Sequence, residues 1–494
     1  MEFKSRTVVL VDETIDGSNF QDIKMPQLDN SHYRNPPWLS TDLNLVKLIS
    51  ATLLVRSPAR YAISIATGLL IVIGLMGSPL SMAEDGLSWP DKSGPTFDGR
   101  VAASDADGLP VTWNEASGEN IAWKVPIKGT GHSTPVIGGG RIWLTSATDE
   151  GTKQYVTCIE AASGDVLHQR LIWENISPEP LGNQINTYAS PSCVLESDAV
   201  YVHFGTYGTA RLDPHTGKTI WSRRDINVRH FRGPGSSPIL GGELLILTFD
   251  GIDQQFLIAL NKNTGDTVWK TNRSTDYHDL DENGNPFRDG DKRKAYGTPS
   301  LTKISGRWQV ISVGSRAGFG YDLLTGMEIW TLRHDDFNAS ARPICVNGHV
   351  YLNTGSGRAN TVALRLDETA KGDVTSTHVS WDRDRGNSRL ASPIIVEDRL
   401  FMVTDKGVIY CLEWRTGKEI FAGRIGGTHV ASPIFANGNL YFCDERGVTS
   451  VVRASDEFEI VNRNQLDEGM RASFAAANGA LYLRTFGHLY KIAK

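Results

Sequence analysis

The chain has 494 residues, a formal net charge of -6 and 21% charged residues. So mildly acidic a balance gives no reason to expect nucleic acid as a partner, and the length permits more than one domain without requiring it. With 49 glycines and 12 tryptophans, the bias favours turns and packed sheets.

Residues 1–55 are polar and mixed, without a strand or helix period. Arg56 and Arg60 then precede a charge-free apolar run, 61–83, which ends in Ser81-Met82-Ala83 before Glu84. Small residues at that point are what a signal peptidase prefers. Two readings fit: a secretory signal whose true start lies near Val55, or an uncleaved anchor just long enough to span. Under both, the basic residues stay inside and the remainder is exported, periplasmic or extracellular, touching the membrane only through 61–83. Residues 84–116 read as a lead-in loop, with turns marked by Trp89-Pro90, Gly94-Pro95 and Gly99.

From 117 onward one unit recurs, and 391–421 shows it most clearly. Ala391-Ser392-Pro393 opens it, two alternating runs at 400–404 and 408–412 flank the turn Asp405-Lys406-Gly407, and Thr416-Gly417 precedes Phe421. Short alternating runs rich in Val, Ile, Tyr and Phe, broken by Gly and Asp, predict antiparallel strands in hairpins. The opening returns as Ser133-Thr134-Pro135, Ala189-Ser190-Pro191, Ser236-Ser237-Pro238, Gly297-Thr298-Pro299, Ala341-Arg342-Pro343, Ala431-Ser432-Pro433 and the degraded Ala472-Ser473-Phe474. The close returns as Thr216-Gly217 before Trp221, Thr264-Gly265 before Trp269 and Thr325-Gly326 before Trp330, whereas Ser163-Gly164 lacks the aromatic and Trp381 lacks the Thr-Gly. Tandem four-stranded units of roughly 40–50 residues are the mark of a β-propeller. The expected fold is therefore all-β, an eight-bladed β-propeller of four-stranded antiparallel blades over 117–494. After Phe474 only three strands fit, and an orphan strand containing Trp123 lies at the other end, which predicts a ring closed by an N-terminal strand in the last blade.

Cys193 and Cys345 each sit two residues after an opening Pro, and Cys158 and Cys411 each fall in a third strand. Equivalent positions in different blades lie far apart, so these thiols and Cys443 are expected as small buried hydrophobes. The longest excursion, 271–296, carries Asp279, Asp281, Asn283 and Asn285 at alternate positions with Gly284 sixth. That spacing suits a calcium loop, although the twelfth position is Gly290; a solvated acidic turn is the other reading.

Just before the openings, or within one, stand His132, Tyr188, His230, Arg232, Tyr296, Arg342, Arg389, His429 and Arg471. A propeller gathers such lead-ins around one channel mouth, so these side chains predict a basic and aromatic ring able to draw in an anionic ligand or acidic peptide. Alternatively they cap neighbouring blades. Nucleophile-elbow, phosphate-loop and His-Glu-x-x-His signatures do not occur.

The Ser-Pro opening, the hairpin and the Thr-Gly-x-x-x-Trp close together resemble the repeat of pyrroloquinoline-quinone (PQQ) type propellers. Within that group the chain resembles exported propellers related to the outer-membrane-protein assembly lipoprotein, through stretches such as 230–238 and Leu466-Asp467-Glu468-Gly469. No lipobox cysteine follows the apolar run, so the lipid anchor is not carried over. The resemblance to quinone-dependent dehydrogenases implies a cofactor under a disulfide of adjacent cysteines, over a Trp floor and beside calcium and an Asp. No Cys-Cys pair exists here, so PQQ is not expected and calcium is considered only for the Asp279 loop. The expectation is an exported, non-catalytic scaffold that binds a protein or acidic envelope ligand; the alternative is a quinoprotein dehydrogenase with a diverged pocket.

Overall fold

The computed structural model describes residues 86–183 and 185–494; both the polar segment 1–55 and the signal or anchor segment 56–83 lie outside the described residues. The described residues form eight sheets. Blade 6 is representative, with strands Ile394–Val396, Arg399–Val403, Val408–Glu413 and Glu419–Arg424 paired in sequence order. Its first two strands are almost wholly buried, whereas the outermost is largely exposed. Neighbouring sheets cover the inner strands, and the rim faces water. The apolar core accordingly lies between blades: Ile394, Phe401 and Cys411 of blade 6 pack with Leu440, Phe442 and Val452 of blade 7.

The ring closes as expected. Ile121–Pro126 pairs antiparallel with His488–Ile492, making the outer strand of blade 8. Two further strands exceed the four-strand plan: Leu87–Trp89 adds to the inner edge of blade 1, and Gly372–Asp373 runs parallel to the outer strand of blade 4.

The recurrent Trp and Thr-Gly turn out to be two halves of one contact between blades. Trp221, Trp269 and Trp381 lie against Gly265, Gly326 and Gly417 of the following blade, where φ is positive and a Cβ would meet the indole. Each indole N–H donates to a carbonyl three residues before that glycine, on Lys262, Leu323 and Trp414. Where the next blade lacks the glycine the contact changes. Trp330 donates instead to Gln309 of its own blade, and Phe421 packs against Phe458.

One repeat register differs from expectation. In blade 2 the inner strand is Val194–Glu196, so Ser192-Cys193, not Ser190-Pro191, occupies the place of Thr134-Pro135 before Val136–Gly138. A small residue before proline specifies a local turn, whereas the pairing between blades sets the register. All five cysteines are free, and burial pushes each thiol up to about 12.

Candidate functional site

The chain between Leu87 and Val101 does more than lead in. It starts along blade 1, where Leu87 faces Gly138, and reaches the middle of the channel at Trp89, which is fully buried. It then turns, with Gly94 closing over the Trp89 indole, and runs back along blade 7, where Arg100 pairs with Phe435 and the Val101 N–H donates to the Phe435 carbonyl. Asp91 and Lys92 form the tip of this inserted hairpin. Asp91 is latched by the Arg342 guanidinium, both side chains being 1% exposed. One end of the channel is thereby plugged.

Above the plug the channel widens into a cavity of about 160 Å³. Lys92 reaches it from the plug; Thr134, Ser192, Ser237, Ser432 and Ser473 line its walls; His132, Arg232, Tyr296, Asn338 and Arg471 stand towards the mouth. The wall hydroxyls belong to a belt that ties blade to blade. The backbone N–H groups of Thr134, Ser192 and Ser237 donate to the hydroxyls of Ser192, Ser237 and Thr298, at 2.8, 2.9 and 2.9 Å. Those of Arg342, Ser392 and Ser432 donate to Ser392, Ser432 and Ser473, at 2.9, 3.0 and 3.0 Å. Short inner strands leave these N–H groups without a ladder partner, and the hydroxyl of the next opening satisfies each.

Of the nine residues expected at the mouth, four line the cavity: His132, Arg232, Tyr296 and Arg471. Arg471 pairs with Glu445 at 2.6 Å, and Arg232 shares Asp291 with the buried Lys294, so one carboxylate faces two cations. Burial, with help from Arg471 and Arg484, holds the His132 imidazole down at about 3. The other five do not converge there. Tyr188 donates its hydroxyl to the Glu179 carbonyl; His230, through Nε2, accepts the Thr206 N–H; Nε2 of His429 meets the Gly426 carbonyl. Arg342 is the latch on the plug, and Arg389 pairs with Asp405 in a groove between blades 5 and 6. Their backbones do sit where the repeat puts them. Neighbouring loops supply hydrogen-bond and ion-pair partners, and the side chains turn to them.

The candidate calcium side chains are engaged otherwise. Asp279 holds Arg293 at 2.6 Å, and Asp281 accepts the N–H groups of Asn283 and Asn285. No group of three or more His, Cys, Asp or Glu suited to a metal occurs among the described residues. Among the described residues, no Asp or Glu lines the channel cavity either, so its donor set does not fit a hard cation. Lys92 and the hydroxyl belt carried no sequence signal as site residues; the belt's recurring Ser or Thr was visible only as an opening.

Residues 80–229 and 253–485 match the family described as outer membrane protein assembly factor BamB. The chain belongs to this family. Among solved structures it is similar to BamB from Moraxella catarrhalis, at 12% identity over 75% of this chain and 99% of that one, with a TM-score of 0.51. It is also similar to a europium-containing methanol dehydrogenase, at 11% identity over 83% and 91% with a TM-score of 0.50. A computationally designed protein, Ika8, aligns at 9% identity over 75% and 98%, again at 0.50. At such identities the likeness to these structures is one of fold. No curated protein matches the chain by sequence.

Proposed function

We propose that this BamB-family propeller is an exported, non-catalytic scaffold of the cell envelope that binds an acidic segment of a partner protein on the face carrying the channel mouth. Membership of a family described as an assembly factor supports a scaffold role. Export rests on the apolar run 61–83 and its basic flank. Among the described residues, no helix is long and apolar enough to cross a membrane.

The observation that carries the choice of partner is a groove of about 390 Å³ between blades 5 and 6. Arg358, Arg385, Lys406 and Arg424 line it, all exposed and, among the described residues, without an ion-pair partner. Asp384 and the already paired Asp405 are its acidic lining residues. An excess of unpaired cations on a chain of net charge -6 favours an acidic segment and speeds its association.

The test is fluorescence anisotropy of a labelled Glu-rich peptide against wild-type protein and the Arg385→Glu/Arg424→Glu variant, at low and high salt. Salt-sensitive binding lost in the variant is expected; equal binding by both proteins overturns the assignment. The competing reading, a quinone-dependent dehydrogenase with a diverged pocket, has only the shared fold behind it, which does not give function. Titration with PQQ and calcium, followed by absorbance and dye-linked oxidation, separates the two.

A further inference from the structure

Besides the paired Arg232 and Arg471, two cations in or beside the channel cavity have no carboxylate partner among the described residues. Lys92 is only half-buried at the plug tip, yet no carboxylate lies within ion-pair distance of its ammonium among the described residues. Burial, and then the neighbouring Arg342, push it down to about 8 against the opposing pull of Asp91. Arg484, 1% exposed, lies beside the blade-1 opening next to the cavity-lining Thr134; its donors reach the Ser133 hydroxyl and the Ser133 and Thr145 carbonyls and, among the described residues, no carboxylate. Among the described residues, its Nε and second Nη have no partner.

The hydroxyls around this charge are poised as donors. Ser192, Ser237, Ser432 and Ser473 line the cavity, and each already accepts a backbone N–H. Among the described residues, none of their own hydrogens has an acceptor. A hydroxyl with its acceptor side engaged and its hydrogen unspent favours an anion. Nearer the mouth the need reverses: the Asn338 carboxamide oxygen is buried, the residue being 9% exposed, and lacks a donor among the described residues. The Tyr296 hydroxyl is likewise buried without a partner among the described residues. A ligand satisfying both ends carries an oxyanion at one end and O–H donors at the other.

We propose that the channel cavity binds a small hydroxylated carboxylate, its carboxylate held by the Lys92 ammonium and the belt hydroxyls, its hydroxyls by Asn338 and Tyr296. The cavity, about 160 Å³, has room for several waters and hence for a small molecule, but not for a folded segment. This site is separate from the groove between blades 5 and 6, and neither assignment depends on the other.

Isothermal titration of the wild-type protein with D-gluconate, with sorbitol as its uncharged counterpart and with inorganic phosphate tests the proposal. Gluconate should bind saturably and at least about tenfold more tightly than sorbitol or phosphate, the scale of one charge-assisted contact. Lys92→Met should weaken gluconate about tenfold, and Lys92→Arg should keep most of the affinity; circular dichroism checks the fold of both. Gluconate binding no better than sorbitol overturns the anion site, and this comparison needs no variant. Phosphate binding as well as gluconate overturns the hydroxylated class, and unchanged gluconate affinity in Lys92→Met overturns the role of the lysine. The Glu-rich peptide reports on the groove alone, so either reading can fail without the other.

Discussion

The contact between tryptophan and glycine of successive blades makes a quantitative prediction through Gly326→Ala. At φ +70 any L side chain is strained, and here a Cβ would also lie 2.5 Å from Cδ2 and Cε3 of Trp269 and 2.8 Å from Oγ1 of Thr271. Trp269 is 8% exposed and fixed by its N–H to the Leu323 carbonyl at 3.0 Å, so it has little freedom to withdraw. Gly438→Ala supplies the control: its φ is +74, and a Cβ there meets nothing within 4 Å. Both substitutions cost about 1–2 kcal/mol for the left-handed backbone. Only Gly326→Ala adds an overpacking cost of about 1–3 kcal/mol. Urea unfolding followed by tryptophan emission should therefore give Gly326→Ala the lower midpoint of the two, with Gly438→Ala between it and wild type. Coincident midpoints for the two variants would mean that the glycine serves its own turn and that the indole does not depend on it.

Asp91→Ala leaves Arg342 buried without its counter-ion and should cost about 3–5 kcal/mol; thermal unfolding should recover much of this in Asp91→Leu/Arg342→Met. The buried rings of His203 and His230, held down at about 3 and about 4 by burial, stay neutral in the fold while the unfolded chain takes up protons near 6.5. Their contribution is complete above about pH 6.5 and falls as pH drops towards 4 and 3, by about 1.4 kcal/mol per pH unit for each ring; urea midpoints across this range should show a shallower slope for His203→Gln. Replacing Arg358 and Lys406 of the groove together with alanine should lower the affinity of the Glu-rich peptide, more at low salt than at high salt, and unchanged affinity would remove both from the docking surface.

The blades were legible because strand alternation and Thr-Gly turns are local signals, repeated often enough to align. The closing strand was legible for the same reason: Trp123 is the close of a unit whose opening lies at Ser473. What could not be read was direction and distance. Arg342 occupies a mouth position in the repeat, yet its guanidinium points to Asp91, 251 residues earlier in the chain. His230 and Tyr188 likewise follow acceptors and donors on loops of irregular length. The plug has no period at all, because its residues answer to several different blades in turn, and a pattern search sees only prolines and glycines.

The belt of hydroxyls explains where charge accumulates inside an acidic chain. It runs in two arcs, from Thr134 to Thr298 and from Arg342 to Ser473, and so breaks between blades 4 and 5 and between blades 8 and 1. An arginine stands at each break. Arg342 spans the first, donating to the Pro299 carbonyl and the Ser300 hydroxyl; Arg484 spans the second, donating to Ser133 and the Thr145 carbonyl. A guanidinium reaches several acceptors at once and can join sheets that a single hydroxyl no longer bridges. Each such staple brings a cation into the core, where an unanswered charge is costly. The plug answers one of them with Asp91. The second is left to carbonyls and hydroxyls alone, and Lys92 at the plug tip adds to it. An anion in the cavity would offset part of what the chain itself leaves uncompensated there, whereas the two arginines towards the mouth, Arg232 and Arg471, already hold Asp291 and Glu445.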